Sequence, residues 1–338
     1  MDTVTVKRNR MPTYTMANEL TIQEASEEID RVIEEIQNAV IIERDFLERV
    51  LVGLLSQGHV LLEDVPGTGK TLTANSFATA LGLDFNRIQF TPDLLPNDVT
   101  GTYIYNEKKG EFEFNKGPIF SNIILADEIN RAPPKTQAAL LEAMGEGQVT
   151  TEGDTRQLPD PFFVIATQNP VEQEGTFPLP EAQVDRFNIK DTIGYPDADG
   201  EVELLRRRDN RFESTPSSSQ VLDHDRVLAL QGVPEQVTVT EDMLEYISQV
   251  SRATRSHHHV RVGMSPRGTQ RLYECARAQS VIEGRDYLTP DDVKAVSRSV
   301  IAHRMVLTPD AQVQDVDKQS IVEEVLEEIP VPTVEAPA

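Results

Sequence analysis

The sequence predicts an α/β fold, a parallel sheet flanked by helices, followed by a smaller unit built of helices alone. Three observations predict it. Short apolar runs of strand length, "HVLLED", "SNIILADE" and "PFFVIAT", alternate with helical stretches such as "TLTANSFATAL" and "PKTQAALLEAM". Strands that alternate with helices imply a mostly parallel sheet covered on both faces. From about "GYPDAD" the alternation stops, and helical periodicity continues to about residue 308. Finally, the first strand runs straight into a glycine-rich turn and then a helix, in "LLEDVPGTGKT".

Taken in order, residues 1–20 lack periodicity and are expected to be a flexible N-terminus. In "TIQEASEEIDRVIEEIQNAV" the positions Ile22, Ile29, Val32, Ile33 and Ile36 recur at helical spacing. Thr21 with Glu24 three residues on makes a capping box. A second helix is expected over about 43–57. Two segments break the strand–helix rhythm by alternating apolar and polar residues around a glycine turn: "TGTYIYNEKKGEFEFNKG" and "GQVTTEGDTRQLPDPF". Both read as hairpins. Farther on, "RLYECARAQSVIEG" and "TPDDVKAVSRSVIAHRM" are the clearest helices, and the last thirty residues read as a short acidic helix and a proline-containing tail. The expected division is a core over 21–192, a helical domain over 193–310 and the acidic C-terminal piece over 311–338.

The 338 residues carry a formal net charge of −24, and only 9 of the 32 basic residues are lysine. So acidic a surface repels nucleic acid unless its positive charge is gathered in one groove. The scarcity of lysine favours adaptation to a salt-rich cytoplasm over an ordinary acidic protein. No run approaches the 18 or so apolar residues that span a bilayer. The single cysteine, Cys275, excludes a disulfide framework and fits a reducing, cytoplasmic compartment. "HHH" at 257–259 has no partner at metal-ligand spacing and is expected at the surface. The basic cluster "LLRRRDNR" is expected to be a solvated helix face.

The glycine-rich turn carries the chemistry. Gly67 and Gly69 allow backbone angles closed to other residues and let amides approach phosphate oxygens. The helix that follows adds a fixed positive end. Lys70 supplies a mobile charge for the β- and γ-phosphates, and the Thr71 hydroxyl is suited to Mg²⁺. Asp64 stands where the usual eight-residue pattern has its first glycine. It belongs to the strand end, so a change in shape is expected there more than a change in affinity. Asp127, closing "IILAD", is placed to hold the Mg²⁺ shell, and Glu128 to polarise an attacking water. Asn169, closing "VIATQN", is suited to hydrogen-bond that water or the γ-phosphate.

Order and spacing then resemble the AAA+ ATPases and, within them, the MoxR family. The stretches that carry the resemblance are "EDVPGTGKT", "FTPDLLPNDVTG", "ADEINRAPPKTQAALLEAM", "FFVIATQNP" and "LPEAQVDRF", within roughly 40–308. The resemblance implies an AAA+ P-loop core with a helix-2 insert (about 100–117) and a hairpin before sensor 1 (about 147–161), then an all-α lid. It implies that Pro66, Gly67, Thr68, Gly69, Lys70, Thr71 and Leu72 bind ATP with Mg²⁺, and that Asp127 and Glu128 are the Walker B acids. By the same resemblance Asn169 is sensor 1 and Arg186 an arginine finger that reaches a neighbouring subunit. Arg267 in "MSPRGT" matches sensor 2, acting in its own site or across the interface. Where the family usually has "VGQ" beside adenine, the chain reads "VIIERD". Val40, Ile41 and Ile42 are expected to supply an apolar wall, with Glu43 and Arg44 in place of glycine and glutamine.

The implied activity is ATP hydrolysis by a ring, a hexamer being the usual form. Such rings remodel or assemble protein clients with a partner carrying a von Willebrand factor A domain, often for metal or cofactor insertion. Lys108 and Lys109 at the first hairpin tip suit either a client contact or an ordinary solvated turn. A nucleic-acid motor or chelatase-like subunit is the alternative, and a non-catalytic scaffold the third.

Overall fold

The computed structural model describes residues 20–65, 67–170, 175–210 and 216–333. Two helices come first, α1 (Ile22–Ala39) and α2 (Arg44–Leu55), before strand β1 (Val60–Glu63) and helix α3 (Lys70–Ala80). Next are β2 (Phe85–Gln89), the short α4 (Pro96–Thr100), and a hairpin of β3 (Gly101–Asn106) with β4 (Glu111–Lys116). Strand β5 (Ile123–Asp127), helix α5 (Pro134–Glu146) and a second hairpin, β6 (Gln148–Thr151) with β7 (Asp154–Gln157), lead to β8 (Phe163–Gln168). The one-turn α6 (Glu181–Val184) and strand β9 (Ile189–Asp191) complete the sheet.

Helices dominate from there: α7 (Ala198–Asp209), α8 (His224–Gly232), α9 (Glu241–Ser256), α10 (Pro266–Ile282) and α11 (Pro290–Ile301). A small antiparallel ribbon joins β10 (Val260–Val262) to β11 (Val306–Leu307). Helices α12 (Pro309–Val313) and α13 (Lys318–Glu328) close the described chain. The expected flexible N-terminus lies outside the described residues except Leu20. That residue is 2% exposed, and its carbonyl accepts a hydrogen bond from Gln236 Nε2 at 3.0 Å.

The sheet has the order β2-β5-β8-β1-β9 with every neighbour parallel. Strand pleating divides the core in two. In β1, Val60 and Leu62 face a core shared with α1, α2, α3 and the later helices, whereas Leu61 faces α5 and Phe90. The first core therefore runs without a break from the sheet into the helical half. Thr21 and Glu24 form the expected capping box, Glu24 N donating to Thr21 Oγ1 at 3.2 Å and Thr21 N to Glu24 Oε2 at 3.0 Å.

Two strands escape the sequence pattern. β2, "FNRIQ", is an edge strand with one buried residue, Ile88, and β9 is three residues long. Edge strands cover one face only, so little apolar signal is required of them. The acidic C-terminal helix is also no appendage, because Ile321, Val322 and Val325 of α13 are buried in the first core. The expected hairpins are present and touch one another: the Arg156 guanidinium lies 4.0 Å from the Phe114 ring centroid and donates to the Tyr103 hydroxyl at 2.7 Å.

Candidate active site

β1 ends in Glu63, and the chain turns through Gly67 (φ 92°) and Gly69 (φ 85°) into α3, whose first residue is Lys70. A Cβ at either glycine would meet nothing within 4 Å. The requirement is therefore left-handed backbone and not crowding, and the space above the loop is open. Pro66 lies outside the described residues. Lys70 Nζ curls back onto the carbonyls of Asp64 and Val65, 3.0 Å from each. Both bonds are to neutral acceptors, so a phosphate oxygen is the stronger partner.

Asp64, the residue in the position of the missing glycine, is 5% exposed. Its carboxylate accepts the backbone N–H groups of Ile193 (2.6 Å) and Gly194 (3.1 Å), just past β9. The next two residues, Tyr195 and Pro196, line a cleft of about 710 Å³. Val40, Ile41, Gly67, Thr68, Gly69 and Leu72 line it too. These are six of the residues expected to hold the nucleotide, on three separate elements. Ile42 and Glu43 instead border a smaller neighbouring hollow, while Arg44 turns away to ion pairs with Asp30 and Glu48.

The cleft also has a wall the sequence reading missed. Leu204, Arg206, Arg207 and Arg208 of α7 line it; the helix has no buried residue, so the arginine cluster is the solvated face that was expected, and that face borders the cleft. Arg207 Nη1 donates to the carbonyls of Gln37 (2.7 Å) and Asn38 (3.1 Å) at the end of α1. Three consecutive arginines were the available signal, and only the fold brings them beside the phosphate loop. A larger cleft of about 970 Å³, near Lys190 and Glu323, contains none of the expected site residues.

The acids stand at the ends of β5 and beside β8. Asp127 is 7% exposed, and it accepts Thr167 Oγ1 (2.6 Å) on one oxygen and Arg87 Nη2 (2.6 Å) and Nε (3.1 Å) on the other. Glu128 has φ 56° and ψ 49°, a left-handed backbone that costs a non-glycine residue about 1–3 kcal/mol. Its N–H donates to the same Thr167 hydroxyl at 2.8 Å, which offsets part of that cost. Its carboxylate is held by Gln89 Nε2 (2.9 Å) and Arg131 Nη1 (3.1 Å). Asn169 follows β8 directly and is 6% exposed. An exposed hydroxyl at Thr71 and a carboxylate at Asp127 are hard oxygen donors that suit Mg²⁺.

Arg186 does not line the cleft of its own chain. It donates to the Leu141 carbonyl of α5, packed over Gly145. Arg267, in the first turn of α10, is exposed and outside the cleft as well. The three histidines stack in series, and His257 is not a surface group: its side chain is 6% exposed and its Nε2 lies 3.1 Å from Glu324. Among the described residues no group of histidine, cysteine or carboxylate side chains is arranged to hold a metal by itself. Cys275 is buried as expected, which pushes its thiol up to about 11. No helix among the described residues is long and apolar enough to cross a membrane.

A profile of the ATPase family associated with various cellular activities (AAA) matches residues 59–189, and one of the AAA lid domain matches 252–325. Chaperone MoxR1 of Mycobacterium tuberculosis is 42% identical over 317 residues, 91% of this chain and 83% of its own. The chain belongs to the MoxR family of AAA+ ATPases. Protein YeaC of Bacillus subtilis is 46% identical over 304 residues, 90% of this chain and 95% of its own. A crystal structure of a Cytophaga hutchinsonii protein assigned as an ATPase superposes with a TM-score of 0.86 at 41% identity, covering 92% of this chain and 97% of that one. ATP hydrolysis and a chaperone-like role are thus the general kind of activity of this MoxR protein.

Proposed function

We propose that this MoxR protein hydrolyses Mg·ATP at sites completed between subunits of a ring, and uses the energy to remodel protein clients. The observation that carries the reading is the division of residues. The loop, Asp127, Glu128 and Asn169 gather at the ends of the neighbouring parallel strands β1, β5 and β8, while Arg186 is turned to the Leu141 carbonyl of α5 and Arg267 is exposed at the start of α10.

In this reading the base enters between Val40, Ile41, Leu72 and Tyr195. The loop amides and the N-terminus of α3 hold the phosphates, and Lys70 exchanges its two carbonyl partners for phosphate oxygens. Mg²⁺, when bound by Thr71 and Asp127, neutralises charge on the phosphate oxygens. Glu128, released from Gln89 and Arg131, takes a proton from water as the water oxygen attacks the γ-phosphorus. The bond from that phosphorus to the β–γ bridging oxygen breaks, giving ADP and phosphate. Asn169 orients the water or the γ-phosphate. Arg186 of a neighbouring copy stabilises the charge that builds up, an effect worth roughly 10³–10⁵ in rate.

The first hairpin supports a client contact, since Ile104, Tyr105 and Phe112 are 52%, 52% and 68% exposed beside Lys108 and Lys109 at the tip. A partner with a von Willebrand factor A domain would select the client in a cytoplasmic setting. The test is Mg²⁺-dependent hydrolysis per subunit against protein concentration in molar KCl. Activity that climbs with concentration and is abolished in Arg186→Ala is expected. Activity independent of concentration and unchanged in that variant would refute the shared site.

A further inference from the structure

Arg304 is a deeply buried cation of the helical half, with a side chain 1% exposed. It sits in the turn after α11, where Nη1 donates to the Val300 carbonyl of that helix, and the rest of its guanidinium is turned to the segment that contains Arg186. Nε donates to Asp185 Oδ1 at 2.9 Å, Nη2 to the Phe187 carbonyl at 2.7 Å and Nη1 to the Asn188 carbonyl at 3.2 Å. The anchored residues thus flank Arg186 on both sides and leave its side chain unheld by Arg304. Among the described residues the Arg186 side chain is tied by the one bond to Leu141, which a rotamer change breaks.

The other side of Arg304 faces the start of α10. A Cβ on Gly268, the residue after Arg267, would lie 3.0 Å from Arg304 Cδ and 3.5 Å from its Nε. The β10–β11 ribbon, with Val262 opposite Val306, ties the chain just before Arg267 to the chain just after Arg304. A methionine would fill the same volume without the desolvation of a charge. What the guanidinium adds is direction, because its planar fork fixes three acceptors on one short segment at once.

We infer that Arg304 is a positioning residue: it locks the backbone that presents Arg186 to the helix start that presents Arg267, so that both arginines meet a neighbouring copy's nucleotide as one rigid pair. This inference rests on the reading that Arg186 acts across a subunit interface. It makes the helical half of each subunit, and not the sheet alone, the support of the group offered to the next subunit.

The experiment compares Arg304→Met, Arg186→Ala and Lys70→Ala, alone and in pairwise mixtures, by turnover and by affinity for a fluorescent ATP analogue. Arg304→Met is expected to bind the analogue within about twofold of wild type, while turnover falls roughly 10²-fold, the scale of a misplacement near 1 Å. Mixing it with Lys70→Ala, whose own loop is disabled but whose arginines are intact, is expected to restore turnover at the Arg304→Met sites. Wild-type turnover in Arg304→Met, or a loss that Lys70→Ala does not relieve, overturns the inference. Should Arg304→Met lack a cooperative melt, Asp185→Asn weakens the same anchor from the core side and is judged by the same two outcomes. Arg186→Ala run in the same mixtures separates the causes. If Lys70→Ala fails to rescue it, the shared-site reading falls and this inference with it. If it is rescued and Arg304→Met is not, the inference alone falls.

Discussion

Asp64→Asn tests how the phosphate loop is coupled to the far wall of the cleft. The native carboxylate takes two backbone N–H groups, from Ile193 and Gly194, at a position 5% exposed. An amide of the same shape keeps one acceptor oxygen and turns an NH₂ toward the second N–H. One charge-assisted bond, worth about 1.5–3 kcal/mol, is lost, and a buried donor is left unpaired. A stability loss of about 2 kcal/mol is expected on that ground. The strand of chain that loosens carries Tyr195 and Pro196, so nucleotide affinity should fall with it. If about 1.4 kcal/mol of the loss reaches the cleft, Kd rises tenfold. Thermal melts with and without nucleotide, and titration of a fluorescent ATP analogue, read the two effects. A variant that melts within a degree of wild type and binds within twofold would show that Asp64 is only a strand end.

The remaining predictions are shorter. Glu128→Gln should bind the nucleotide normally and turn over at least about 10²-fold more slowly, the usual contribution of a positioned base; retention of a tenth of wild-type turnover would remove Glu128 from that role. His59 is buried between the Met144 carbonyl and the Val164 N–H, and burial pushes it down to about 4 from its ordinary 6.5. Below about pH 6.5 the unfolded chain gains a proton that the fold refuses until about pH 4, so stability falls across that window by up to about 1.4 kcal/mol per pH unit. His59→Gln should flatten the decline measured by urea unfolding at pH 7, 5.5 and 4.5, and parallel declines would count against it. With a net charge of −24, the melting temperature should climb as KCl is raised from 0.1 to 2 M, because the screening length falls from about 10 Å to 3 Å or less. A flat or falling curve would point to an ordinary acidic protein.

Local chemistry explains what could be read in advance. Helix periods, the Thr21–Glu24 box, two glycine-turn hairpins and the sequence "VPGTGKT" all depend on residues a few positions apart, and the sequence states them directly. The fold class and the loop, acid and asparagine positions follow from them. Weakly patterned pieces were lost: β2 exposes most of its residues, and β9 is too short to show a period.

The sequence by itself thus determined the fold class and which residues are proposed to carry phosphate and water chemistry in this protein. Only the tertiary structure decided what restrains them. Arg87 meets Asp127 because β2 lies beside β5, and Gln89 meets Glu128 for the same reason. Asp64 captures backbone 129 residues away because β9 lies beside β1, and Arg304 grips Asp185 across 119 residues because the helical half folds back onto the sheet. Each of these contacts is fixed by strand order and by how one half packs on the other. No spacing along the chain encodes such a pairing, since loop length sets neither which strands become neighbours nor which buried charge finds which acceptor.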